Sequence, residues 1–169
     1  MTNANISESF SPEDWALLRS APLLSGLWIT LSDLRTGPFG ILKEGFAPSQ
    51  AIIEAGDSAV NPVVAAIVAN IKEMAKKGER LQPPFDVSGK TPEQLKVAVA
   101  DLLKKIPAVL EGKVPADQAD GFKSWLVAVA GKVANAGREG GFLGFGGEKV
   151  SAAETAAIQD LSSFLDVKA

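Results

Sequence analysis

The 169-residue chain contains no histidine, no cysteine and no tyrosine. Without histidine it lacks the side chain whose charge changes near neutral pH and the commonest nitrogen ligand for metals. Without cysteine it has no thiol nucleophile and no soft sulfur ligand. Zinc sites, Ser-His-Asp triads, Cys-His pairs and His-ligated haem are therefore excluded within this chain. Di-iron carboxylate bundles need a Glu-x-x-His from each of two helices, so they are excluded too. Catalysis would have to rest on Asp, Glu, Lys, Arg or Ser, which puts an enzyme behind non-catalytic classes.

A strong charge of either sign is also missing. The net charge is −3, and the basic pairs Lys76-Lys77 and Lys104-Lys105 are flanked by acids or apolar positions. Nothing here tracks phosphates, so no nucleic-acid partner is expected. No apolar run is long enough to span a bilayer, since Pro22 to Leu31 is short and carries Ser25 and Thr30. Met1 to Phe10 has neither a basic stretch nor an apolar one and reads as a flexible terminus without a signal peptide. A soluble, cytoplasmic protein is the expectation, and the lack of cysteine agrees with it.

What is present points to helices. Apolar residues make up 46 % of the chain, enough for one compact domain over residues 1–169 with a real core. Ser11-Pro12-Glu13-Asp14, Asn61-Pro62 and Thr91-Pro92-Glu93-Gln94 each set a capping side chain before a proline at the first helical position, where a missing N–H costs nothing. Ser151-Ala152-Ala153-Glu154 has the form of a capping box. From these starts the sequence predicts helices at about 12–20, 22–34, 48–56, 62–77, 92–111, 115–137 and 151–165. Pro107 should kink or end the fifth of them. The run Val63 to Ala69 is apolar nearly all round and predicts a central helix. Phe122, Trp125, Leu126, Val129 and Val133 trace one helical face, as do Leu95, Val99, Leu102, Leu103 and Ile106. Trp15, Trp28 and Trp125 sit at apolar helical spacing and are expected in the core. Residues 78–91, with Pro83-Pro84, lack periodicity and read as a connection between two helical halves. The expected fold is all-α, a single-domain bundle of six to eight helices.

The halves share a spacing. Gly37-Pro38-Phe39-Gly40 followed by Glu44 matches Gly141-Phe142-Leu143-Gly144 followed by Glu148, each after an apolar helix carrying a tryptophan and before another helix. Either the two are a duplicated unit with paired loops, or both are glycine-rich helix links.

Residues 140–147, Gly-Gly-Phe-Leu-Gly-Phe-Gly-Gly, are the one stretch that helix building leaves unexplained. Glycine lets backbone approach another group closely, and exposed large apolar side chains need something to meet. In one reading the glycines stop the preceding helix while Phe142, Leu143 and Phe145 fold back as a plug. In the other, Phe142, Leu143, Gly144 and Phe145 form a contact surface, joined by Phe39 if the halves are related. No Gly-Lys-Ser/Thr follows and no strand precedes, so neither a Walker motif nor a dinucleotide fingerprint is present.

Asp33 to Glu44 has acids at both ends of a twelve-residue span, as a calcium loop does, but Arg35, Gly37 and Pro38 break its interior. A capped turn explains it better, with Asp33 and Glu44 kept as the metal candidates. Lys72, Glu73, Lys76, Lys77, Glu79 and Arg80 follow an apolar segment. Such mixed signs read first as a solvated helix end and second as a membrane-surface contact.

Gly147-Glu148-Lys149-Val150-Ser151-Ala152-Ala153-Glu154, with Ile158 and Leu161 after it, resembles the Gly-x-x-Val/Ile-Ser-x-x-Glu turn of the TerB-like family, small helical bacterial proteins associated with tellurite resistance and stress. Asp33 to Glu44 resembles the same turn more faintly. Gly146-Gly147 stand where the family turn usually has an Asp-Gly pair. The resemblance implies a non-enzymatic helical module in a bacterial stress-related or membrane-linked assembly.

The leading expectation is a non-catalytic module, without a cofactor, that binds a protein partner or a small apolar ligand. The alternatives are a carboxylate-based enzyme that uses a divalent metal and a structural subunit that self-assembles, for instance as a homodimer.

Overall fold

A computed structural model of the chain describes residues 6–32, 52, 61–139 and 151–167, and all regular secondary structure among them is helical. The elements are α1 (Pro12–Ser32), α2 (Pro62–Lys76), α3 (Pro92–Leu103), α4 (Ile106–Leu110), α5 (Ala116–Glu139) and α6 (Ala152–Phe164). The all-α class is as the sequence predicts. Five of these helices run 12 residues or more and α4 only 5, so the expected six to eight is slightly high for the described residues.

The four capped helix starts read from the sequence, at Ser11, Asn61, Thr91 and Ser151, are built as expected, while the predicted helix 48–56 lies, but for Ile52, outside the described residues. Ser11 Oγ accepts from the Asp14 amide at 3.1 Å. Asn61 Oδ1 accepts from the Val63 and Val64 amides at 3.0 and 3.2 Å. Thr91 and Gln94 form a reciprocal capping box, and so do Ser151 and Glu154. These bonds satisfy amides that have no partner inside their own helix.

The predicted helices 12–20 and 22–34 are one continuous helix, α1, which passes through Pro22. A proline inside a helix removes one backbone bond and crowds the preceding turn, at a cost of about 3 kcal/mol. Leu17, Leu18, Leu23, Leu24, Leu27, Trp28, Ile29 and Leu31 are all buried around it. Each such side chain gains roughly 1.5–3 kcal/mol from burial, so packing outweighs the proline. Ser20 and Ser25 keep this apolar helix free of orphan hydroxyls by donating to Leu17 O and Ala21 O, both at 2.9 Å.

α1 also takes the central place expected for α2. It packs against α2, α3, α4, α5 and α6, whereas α2 packs chiefly on α5 and α1 among the described elements. Val63, Val64 and Ile67 of α2 are fully buried all the same. Both helices carry a long apolar run, Val63 to Ala69 in α2 and, Ser25 apart, Ala21 to Ile29 in α1, and α1, with its 21 residues, reaches more neighbours.

Pro107 divides the predicted helix 92–111 at a chemically defined point. Its nitrogen cannot donate to Leu103 O, and Leu103 is where α3 ends. The chain restarts at once as α4, with Pro107 in the first turn, where proline is tolerated. Residues 78–91 carry no helix, though Leu81 and Phe85 pack against the core. Ile6 and Phe10, assigned by the sequence to a flexible terminus, are buried, and Phe10 stacks on Trp15 with ring centroids 6.0 Å apart. Trp28 and Trp125 are in the core and Trp15 lies partly buried against it. Lys76, Lys77, Glu79 and Arg80 are exposed, with Lys76 paired to Glu73 at 3.5 Å. That is the solvated face expected. No helix among the described residues is long and apolar enough to cross a membrane.

α6 ends in a Schellman turn. The Asp166 amide donates to Ser163 O at 3.3 Å and the Val167 amide to Ser162 O at 2.9 Å. Asp166 has φ of 54°, a left-handed conformation usually given to glycine at this position. Its carboxylate also sits at the negative end of the helix dipole. Asp166→Gly is therefore expected to stabilise the protein by about 0.5–1 kcal/mol, despite the extra freedom glycine gives the unfolded chain. A denaturant titration should show a higher midpoint at unchanged slope.

Candidate functional site

Phe142, Leu143, Gly144, Phe145 and Phe39 lie outside the described residues, as do Asp33 and Glu44. The described structure gives the framework on either side of the glycine-aromatic stretch. In sequence that stretch joins α5 to α6, and these two helices pack against each other and against α1. Its far end is tied by the Ser151–Glu154 box, in which Ser151 Oγ accepts from the Glu154 amide at 3.1 Å and Glu154 Oε2 from the Ser151 amide at 2.9 Å.

α6 is held to the hub by an aromatic clamp. Trp28 Nε1 donates to Ala157 O at 2.8 Å across 129 residues of sequence. The same indole and the Phe164 ring form a T-shaped pair, with centroids 5.0 Å apart. Lys96 Nζ lies 4.9 Å from the Trp28 ring centroid and Lys104 Nζ 4.8 Å from that of Phe164. Each ammonium thus meets a ring face.

The opposite end of α5 is fixed by Asn61, whose Nδ2 donates to Gln118 O at 2.8 Å while its Oδ1 caps α2. Gly121 makes this approach possible, because a Cβ there would overlap Asn61 Nδ2.

A groove of about 520 Å³ opens between α4, the first turns of α5 and the end of α6. Lys104, Glu111, Asp120, Lys123 and Asp166 bring both charge signs to it, among Pro107, Leu110 and Val114. Lys123 is only 8 % exposed, and its Nζ lies 2.8 Å from Asp120 Oδ1 on a side chain that is 70 % exposed. The buried ammonium is thereby neutralised from the solvent side. Two lysines against three carboxylates select neither an anion nor a metal cation. Lys123 is absent from the candidates the sequence offers, although it stands four residues after Ala119 and three before Leu126, on the apolar stripe of α5. A lysine on such a stripe is the signal that would have found it.

Among the described residues two buried nitrogens have no hydrogen-bond partner, Arg19 Nε and Trp125 Nε1. Arg19 is held instead through Nη1, which donates to Asn70 Oδ1 at 3.3 Å. Each orphan costs about 1–3 kcal/mol, and both atoms are closed to solvent, so neither can serve a ligand from outside. Asp86 accepts from the Ser88 amide at 2.8 Å. That bond, with the Ser88 hydroxyl and nearby Lys90, lowers its pKa from the usual carboxylate value in an exposed turn. Among the described residues no group of three acids, histidines or cysteines is placed to hold a metal ion.

No protein-family model, no curated protein and no solved structure matches this chain.

Proposed function

We propose that the chain is a non-catalytic helical module that binds an apolar ligand or a protein partner through Phe142, Leu143 and Phe145, with Gly144 giving close backbone approach and Phe39 adding a second contact. One observation carries the reading. Among the described residues the large apolar side chains exposed to solvent are Val87, at 36 %, and Val97, at 62 %. Single exposed valines are ordinary and make no contact patch. Most of the buried core cluster comes from the described helices around α1, joined by Ile6, Phe10 and Ile52, and this supports assigning the apolar residues between α5 and α6 to contact. The absence of histidine, cysteine and tyrosine supports a binding role over a catalytic one. The repeated glycine spacing supports a duplicated unit whose two loops act together. The TerB-like turn resemblance suggests a bacterial stress-related assembly as the setting, and the lack of cysteine is in keeping with a cytoplasmic one.

The test uses anilinonaphthalene sulfonate as the apolar probe. Wild-type protein should bind the dye saturably, and Phe142→Ala/Phe145→Ala should weaken that binding by roughly tenfold, about 1.4 kcal/mol, with the helical circular dichroism unchanged. Equal binding by both proteins would remove the proposed surface.

A further inference from the structure

We draw no further inference here: the strongest candidate, the mixed-charge groove between α4, the first turns of α5 and the end of α6, already pairs its one buried cation, Lys123, with Asp120, and nothing in the structure shows what covers it.

Discussion

Trp28→Ala is expected to destabilise the protein by about 3–5 kcal/mol, the usual loss when a buried tryptophan becomes a cavity. At roughly 2–4 °C per kcal/mol for a domain of this size, the melting temperature should fall on the order of 10 °C. The residue combines three roles in the joint between the hub and the last helix. It fills core volume on α1, it donates to Ala157 O on α6, and it makes a T-shaped contact with Phe164 while the ammonium of Lys96 lies over its ring. Trp28→Phe separates these roles, because it keeps an aromatic ring and removes the donor. Ala157 O retains its own helix partner, so no buried acceptor is orphaned, and the cost should drop to about 1–2 kcal/mol. Near-equal losses from the two variants would mean that the hydrogen bond, and not the packing, holds α6.

The Asn61–Gly121 contact yields a result of opposite sign in two backgrounds. Asn61→Ala removes the α2 cap and the bond to Gln118 O, for about 2 kcal/mol in all. Gly121→Ala in the wild type pushes the Asn61 side chain out of the same place. It should lose most of that energy and recover about 1 kcal/mol of helix propensity. In the Asn61→Ala background the obstacle is gone, so Gly121→Ala should stabilise by about 1 kcal/mol. The coupling of about 2 kcal/mol is read from a double-mutant cycle by urea denaturation. Additive behaviour would show that α2 and α5 do not meet at this point.

These two sites mark where sequence reasoning ends. The caps at Ser11, Asn61, Thr91 and Ser151 were legible because a cap is decided within four residues, by one acceptor and one amide. Pro107 was legible for the same reason, since the bond it deletes lies four residues back at Leu103. Pro22 reads locally as a helix boundary, but its local cost is overcome by side chains that α1 buries against five other helices. The sequence points to α2 as the hub because an apolar run announces burial and not position, and α1 and α2 both carry one. Asn61 was read as a cap and no more. Its second bond, to Gln118, spans 57 residues, and no local pattern announces such a partner. The glycine-aromatic stretch was legible as composition alone, through glycines that favour close approach and apolar groups that need a counterpart.

On the proposed function, Phe142, Leu143 and Phe145 serve contact while the helices around α1 hold the fold. A thermal melt of Phe142→Ala/Leu143→Ala/Phe145→Ala beside the wild type tests it most directly. Melting temperatures within about 2 °C of each other are expected, since contact side chains that leave the core intact carry little stability. A fall on the order of 10 °C or more would contradict it, because that is the loss expected when several large side chains leave a packed interior.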